Sequence, residues 1–383
     1  MTVRVPVEGA LLAWAQRRSR VSRDRLLARF PALDAWEVGE KQPTLKQLEQ
    51  FARATYTPVG YLLLPHPPQE RLPLPDFRTI GEVEIGQASP DLLDTIYQCQ
   101  RRQEWYRDYA RSHRESQVGF VSTLTTDVEV DEAARLMRAV LMFEPEERGV
   151  SWSEASRRLI DEAEQHGVLV MVNGVVGSNT HRKLDPQEFR GFALSDDLAP
   201  LIFVNGADTK AAQIFTLAHE LAHLWLGESA VSDVDIAVTS ANTVERWCNR
   251  VAAEFLLPLA DLGDVEVEDA RLTDELERLA RQFKVSTLVA LRRVFDAGLL
   301  NEARYRTAYA AERDRILELM EDRTSAGGNF YNTQPVRVSK RFARALIEST
   351  LEGQTLHRDA FQMLGFKKHA TFEELAHRLG VVA

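Results

Sequence analysis

Two histidines and a glutamate stand at a spacing suited to metal chemistry. The segment His219-Glu220-Leu221-Ala222-His223 is an H-E-x-x-H pattern. On a helix, residues four positions apart lie on one face, so His219 and His223 can bind the same metal ion. Glu220 then projects beside the metal, where its carboxylate can take a proton from a water molecule. The pattern predicts a catalytic zinc site, with Zn²⁺ as cofactor and Glu220 as the catalytic base.

The flanking sequence predicts a long helix that positions these side chains. Gly206 to Thr209 supplies turn and N-cap residues, and neither Pro nor Gly follows until Gly227. Apolar residues surround the two histidines on most sides. We therefore expect a buried helix over 210–226 that ends at Gly227.

A catalytic zinc ion usually has three protein ligands and one open position. The extended pattern with a third histidine is absent, because Leu226 and Ser229 occupy its last two defining positions. Glu245 and Glu254 follow on the next predicted helix, nine residues apart and about half a turn out of phase, so only one can face the metal. We prefer Glu245, since Asn249 lies one turn later and can hydrogen-bond a ligand. Glu254 is the alternative.

These residues resemble the ImmA/IrrE family of metallopeptidases. The resemblance rests on Phe215 to His223 and on Glu245 to Pro258, and it is specific over about residues 150 to 260. It implies that zinc is held by the two histidines and Glu245, in a zincin-like fold with a short sheet beside the active-site helix. Members of this family cleave DNA-binding repressors. The resemblance therefore implies a repressor or antitoxin-like protein substrate in a stress, mobile-element or toxin–antitoxin system.

The residues before the metal helix predict a small α+β core. An amphipathic helix is expected over Ser151 to His166, followed by strands at Val168 to Val172, Phe192 to Leu194 and Leu201 to Asn205. His181 lies in a predicted loop between these strands. It is a candidate for substrate binding or for stabilising the oxyanion, and the alternative is a solvated side chain.

The first sixty residues carry a second motif. Helices are expected at Gly9 to Arg18, Arg25 to Phe30 with Ser22 as its cap, and Leu45 to Arg53. Together with Trp36-Glu37 this order resembles the phage-repressor (Xre/Cro-like) helix-turn-helix domain. Phe30-Pro31-Ala32 replaces the usual turn and the start of the base-reading helix, which predicts a shortened recognition helix. DNA binding and protein interaction both stay open for residues 1–60.

Composition limits the class of protein. The net charge of −10 argues against a protein that coats nucleic acid, although residues 1–80 hold 12 Lys/Arg and 8 Asp/Glu. We see no signal-peptide pattern and no apolar run of about 18 residues, and we expect a cytoplasmic protein without membrane contact. Cys99 and Cys248 are too few for a disulfide framework or a thiolate zinc site.

We expect a mostly helical α+β protein in five parts. Residues 1–64 form the all-α helix-turn-helix domain, and Pro58 to Asp76 is an extended segment that leaves it. Residues 65–145 form a Pro-rich linker with bridging helices, in which Ser89-Pro90 begins a helix to about Arg111. Residues 146–262 form the zincin-like core with its small β-sheet. Residues 263–300 form a helix-turn-helix-like hairpin, in which 276–294 either contacts DNA or covers the active-site face. Residues 301–383 are a helical C-terminal region with a last helix capped by Thr371.

The functional prediction is a zinc-dependent endopeptidase that cleaves a repressor or antitoxin and so controls gene expression. Two other classes stay open. The chain is alternatively a transcriptional regulator whose peptidase fold senses a ligand or metal, or an antitoxin-like binding module that neutralises a partner toxin. The C-terminal region is expected to hold a partner protein, a substrate or nucleic acid.

Overall fold

The computed structural model describes residues 3–70, 72–75, 88–232, 242–268, 271–321 and 335–381. Within these ranges the chain is mostly helical and contains a small mixed sheet. It divides into two compact units. The first unit contains the described residues up to Pro73, together with the start of a later helix, from Pro90 to Ile96. The second unit contains Leu74, Pro75 and the described residues from Tyr97 onward. No helix in the described ranges is both long enough and apolar enough to cross a lipid bilayer.

The first unit consists of short helices around one apolar core. They are α1 (Gly9–Ser19), α2 (Arg23–Arg29), α3 (Leu33–Glu37) and α4 (Leu45–Ala54), followed by a 3₁₀ turn at Val59–Leu63. Leu11, Trp36 and Phe51 belong to the core that the helices share. The α3 helix has only five residues.

Two local predictions for this unit were wrong. Ser22 occupies the N-cap position of α2, but its side chain makes no capping hydrogen bond. The segment after Pro58 is not extended throughout, because the 3₁₀ turn buries Leu62 completely. Apolar side chains next to a core become buried in it, because burial removes them from water. The prolines alone did not indicate this burial.

The second unit contains the sheet and the remaining described helices. Its elements are α5 (Pro90–Ser112, whose first residues belong to the first unit), α6 (Val130–Leu141), α7 (Trp152–Gln165), β1 (Leu169–Asn173), β2 (Val175–Val176), β3 (Asn179–Lys183), β4 (Gly191–Leu194), β5 (Leu201–Asn205), α8 (Lys210–Leu226), β6 (Ala230–Ser232), α9 (Thr243–Leu256), α10 (Leu272–Phe283), α11 (Thr287–Asp296), α12 (Glu302–Glu321), α13 (Lys340–Leu351), α14 (His357–Leu364) and α15 (His369–Arg378). The last helix begins at His369, before the predicted cap Thr371.

The four-stranded sheet has the order β1-β5-β4-β6. β1 and β5 are parallel, whereas β4 is antiparallel to both β5 and β6. The three strands predicted from sequence are confirmed as β1, β4 and β5. A separate antiparallel hairpin, β2–β3, was not predicted, because β3 consists of polar residues without an apolar alternation.

The α8 helix lies against β4, β5 and α9, and its ends agree with the sequence signals. The Thr209 side chain accepts a hydrogen bond from the Ala212 amide, and Gly227 ends the helix in the left-handed conformation with φ of 76°. Every residue from Gln213 to Trp225 is buried. The prediction of a core helix over 210–226 is confirmed.

The α9 helix packs against both α8 and α6, so the α6 helix belongs to the same core. Arg138, Arg148 and Arg293 donate hydrogen bonds to backbone carbonyl groups at the C-terminal end of α9, at 2.7, 3.1 and 2.8 Å. Burial lowers the pKa of Arg148 to about 9. Because the last carbonyl groups of a helix have no partner within it, these guanidinium groups hold the end of α9 in place.

Candidate metal centre

Three buried side chains converge between α8 and α9. The Nε2 atoms of His219 and His223 lie 3.0 Å apart. The carboxylate of Glu245 lies 3.3 Å from His219 Nε2 and 3.0 Å from His223 Nε2. The two histidines are fully buried and Glu245 is 2% exposed. Among the described residues, this is the group of His, Cys, Asp and Glu side chains whose arrangement suits a metal ion.

The local sequence explains why these side chains meet. His219 and His223 lie one turn apart on the same face of α8. Glu245 lies in the first turn of α9. Asn242 caps this helix, because its side chain accepts a hydrogen bond from the Val244 amide. Because α9 packs along α8, its first turn brings the Glu245 carboxylate to the two imidazoles.

The electrostatics favour a neutral His223 imidazole and an ionised Glu245 carboxylate. Burial lowers the pKa of His223 below its ordinary value, which opposes protonation of the imidazole. Burial alone would raise the pKa of Glu245, but the charge and hydrogen bonds of the two imidazoles outweigh it and lower this pKa. The site therefore offers imidazole nitrogen donors and one anionic oxygen donor.

This donor set fits a zinc ion. Two imidazole nitrogens and one carboxylate oxygen form the His₂Glu set of catalytic zinc sites, and zinc–ligand bonds of about 2 Å place neighbouring donors about 3.3 Å apart in a tetrahedron. The observed separations of 3.0 to 3.3 Å are of that size. Among the described residues, no Lys or Arg forms an ion pair with Glu245. A cation therefore suits this buried group of donors.

Glu220 is fully buried and faces the sheet. A Cβ atom on Gly191 of β4 would lie 3.1 Å from Glu220 Oε1 and 2.5 Å from Thr216 Cγ2. The backbone of β4 thus approaches this part of α8 too closely for any side chain. Sequence reasoning missed Gly191, although a glycine inside a strand often marks such a close approach.

Cys248 is buried on α9 near the same carboxylates. Burial, followed by the negative charges of Glu245 and Glu220, raises the pKa of its thiol well above the ordinary value. The thiol is therefore neutral and suited to packing. Cys99 is also buried, and both cysteines are free.

The alternative ligand Glu254 is engaged elsewhere. Its carboxylate forms an ion pair with Arg293 of α11 and accepts from the Leu259 amide at 3.3 Å. The structure thus brings Glu245, and not Glu254, to the histidines. Asn249 makes no hydrogen bond to a ligand among the described residues, and its Oδ1 atom lacks a partner there.

His181 does not join this group. It lies on β3 and not in a loop, is exposed, and lines a separate cavity together with Arg101, Arg182 and Phe361. None of the three converging side chains lines that cavity. The described geometry gives no contact through which His181 would stabilise an oxyanion at the buried site.

The predicted hairpin at 276–294 is formed by α10 and α11 and packs into the core. Val285 in its turn is buried, and its carbonyl accepts a hydrogen bond from Trp152 Nε1 at 3.1 Å. Arg292 and Arg293 of α11 form ion pairs with Asp296. These contacts favour a structural hairpin, because its basic side chains are already paired.

Comparisons with known proteins agree with part of this picture. Residues 163–295 match the family model described as the IrrE N-terminal-like domain, a peptidase family, and this range contains His219, Glu220, His223 and Glu245. Residues 338–378 match a domain of unknown function, DUF8813. Neither match extends into residues 1–162. No curated protein and no solved structure matches the chain. Residues 163–295 are thus similar to the IrrE N-terminal-like peptidase domain, which supports the ImmA/IrrE resemblance.

Proposed function

We propose that this protein is a zinc-dependent endopeptidase. The observation that carries the proposal is the convergence of His219, His223 and Glu245 within 3.3 Å of one another in the interior, with Glu220 next to the first histidine in sequence. The peptidase-family match over residues 163–295 supports it.

In the proposed mechanism, His219, His223 and Glu245 hold the zinc ion. When bound, zinc supplies Lewis-acid activation of a water molecule and of a peptide carbonyl. The Glu220 carboxylate accepts a proton as the water attacks, and then delivers this proton to the leaving amine. Gly191 leaves the space that the Glu220 carboxylate needs beside β4.

The proposed substrate is a DNA-binding repressor or an antitoxin, which the resemblance to ImmA/IrrE proteins favours. The first unit would recruit this protein. Val38, just after α3, is 70% exposed, and Leu45 at the start of α4 is 46% exposed. Arg23 of α2 pairs with Glu37 and Asp34 and is therefore a poor phosphate contact. The pairing of this cation favours a protein partner over DNA.

The test uses the zinc-loaded full chain and two probes. One is a mixed peptide library of defined composition, and the other is a purified repressor or antitoxin encoded beside the gene. Mass spectrometry of new termini should show cleavage by the wild type. The Glu220→Gln variant should keep zinc and lose at least about a hundredfold in rate, because general base catalysis contributes about 10²–10⁴.

The matched control is Glu132→Gln, which changes an exposed glutamate of α6 and should cleave like the wild type. Equal cleavage by Glu220→Gln would contradict the mechanism. An absence of new termini from every peptide and protein probe would contradict the peptidase proposal. A stable complex with the neighbouring protein and no cleavage would favour the antitoxin-like class instead.

A further inference from the structure

A cavity of about 340 Å³ lies beyond the carboxyl ends of the parallel strands β1 and β5. Each strand ends in an Asn-Gly pair, and Asn173, Gly174 and Gly206 line the cavity. The two turns touch, since a Cβ atom on Gly174 would lie 2.9 Å from the Ala207 backbone nitrogen. In sheets with parallel strands, this edge is a common place for ligands.

Positive charge converges on this cavity from three parts of the chain. Arg157 comes from α7, Lys210 is the first residue of α8, and Arg337 and Lys340 come from the segment at the start of α13. Among the described residues that line it, Asp161 is the one with an acidic side chain. The lining therefore carries an excess of three positive charges.

Three of these four cations, Arg157, Lys210 and Arg337, form no ion pair with a described residue. Lys340 Nζ pairs with Asp161 at 2.6 Å, which uses the acidic residue. Lys210 Nζ donates to the neutral side chain of Gln213 at 2.8 Å, and neither Lys210 nor Arg337 forms an ion pair with a described residue. Lys210 is exposed and Arg337 is half-buried, so both side chains can reach an anion in the cavity.

The wall that carries Arg337 and Lys340 is fixed to α7. The backbone amide of Lys340 donates to Glu164 Oε1 at 2.9 Å. Ser339 is fully buried, and its side chain caps α13 by accepting from the Phe342 amide. The backbone that carries Lys340 is thus held at the cavity before any ligand arrives, which lowers the entropic cost of binding.

We propose that this cavity binds a small molecule that carries a phosphate or diphosphate group. A phosphate group carries nearly two negative charges and three acceptor oxygens, which matches the excess positive charge better than a single carboxylate does. The volume lies within the usual range of small-molecule sites. Ile160, Val172 and Val336 add an apolar wall for the organic part of the ligand.

Such a ligand would contact the helix that carries the metal site. Lys210 and His219 are nine residues apart on α8, or about 13 Å along its axis. The cavity is also lined by Lys340, which belongs to the segment that matches DUF8813. The ligand would therefore bridge the peptidase-like region and the C-terminal region. The inference does not depend on proteolysis.

Isothermal titration calorimetry of the full chain tests the inference with pyrophosphate, adenosine 5′-monophosphate and adenosine as probes. We expect saturable binding of at least one phosphate-bearing probe and none of adenosine. The Lys210→Gln/Arg337→Gln variant should bind that probe at least about tenfold more weakly, since it removes two cations that can form charge-assisted hydrogen bonds with phosphate oxygens. The relative affinities of pyrophosphate and the nucleotide distinguish a simple phosphate site from one that also holds an organic group.

The matched control is Lys46→Gln/Arg53→Gln, which removes two exposed cations from α4 and should bind like the wild type. Circular dichroism and zinc content show whether each variant is folded. The exposed residue Arg157 offers a variant with little risk to folding, and Arg157→Gln should also weaken binding severalfold. Three results would overturn the inference. Both phosphate probes could fail to bind saturably, or adenosine could bind as tightly as they do. The Lys210→Gln/Arg337→Gln variant could also bind with wild-type affinity.

Discussion

Gly191 of β4 and Glu220 of α8 face each other so closely that a side chain at position 191 has no space. A Cβ atom there would lie 3.1 Å from Glu220 Oε1, 2.5 Å from Thr216 Cγ2 and 2.9 Å from the Phe203 carbonyl oxygen. The neighbours include backbone and buried side chains, which cannot give way easily. The sheet therefore determines where the Glu220 carboxylate can lie.

The Gly191→Ala variant should lose peptidase activity without losing zinc. The added methyl group displaces Thr216 and Glu220, and overpacking of this kind costs about 1–3 kcal/mol of folding stability. We expect at least about a tenfold lower cleavage rate, measured beside zinc content and urea unfolding. The matched control is Gly119→Ala, where a Cβ atom meets no atom within 4 Å. Unchanged activity in Gly191→Ala would show that the position of Glu220 does not depend on β4.

The Glu254→Ala variant should be much less stable but should still bind zinc. Removing the carboxylate takes one partner from the Arg293 guanidinium, which is 4% exposed, and leaves it paired with Asp296. Breaking a buried ion pair from one side costs about 3–5 kcal/mol, and the remaining pair with Asp296 places the expected loss at the lower end, about 3 kcal/mol. Urea unfolding and metal analysis check the two parts of this prediction. A second variant, Glu254→Leu/Arg293→Met, should recover part of the lost stability, since it buries no unpaired charge. Loss of zinc from a folded Glu254→Ala protein would contradict the assignment of the third ligand.

The stability of the chain should fall between pH 4.5 and about 7 because of Glu164. Burial raises the pKa of this carboxyl from 4.5 to about 7, so the folded chain binds its proton more tightly than the unfolded chain does. The contribution is fully present below pH 4.5 and is lost as the pH rises to about 7. It amounts to at most about 3 kcal/mol.

The Glu164→Gln variant isolates this effect. Urea unfolding at pH 4.5 and at pH 7.5 should show that the variant gains stability relative to the wild type as the pH rises. Glu132→Gln, at an exposed position of α6, should show no such relative gain. A constant difference between wild type and Glu164→Gln at both pH values would contradict the raised pKa.

The elements around the metal site were predictable because their signals are local. Thr209 and Gly227 mark the two ends of α8, and the spacing of His219 and His223 follows directly from the helical repeat. Helix phase also separated Glu245 from Glu254. Continuous runs of apolar residues indicated the buried strands β1, β4 and β5 but could not indicate β3, which is polar.

The remaining features depend on contacts between distant parts of the chain. The approach of Gly191 to Glu220 arises only when β4 lies against α8, and the cationic cavity requires Lys210 to meet Arg337 and Lys340. Asn249 does lie one turn after Glu245 on the same helix, as predicted. It nevertheless forms no hydrogen bond with a proposed metal ligand among the described residues. Spacing along one helix cannot establish such a contact.

The most direct test of the central claim is the zinc content of purified protein after loading with zinc and removal of the excess. Metal analysis of the wild type should give about one zinc ion per chain, as the His₂Glu donor set requires. Glu245→Gln should lose most of this zinc, whereas Glu254→Gln, whose carboxylate lies with Arg293, should retain it. A folded wild type without zinc, or a Glu245→Gln protein that retains the full amount, would contradict the account.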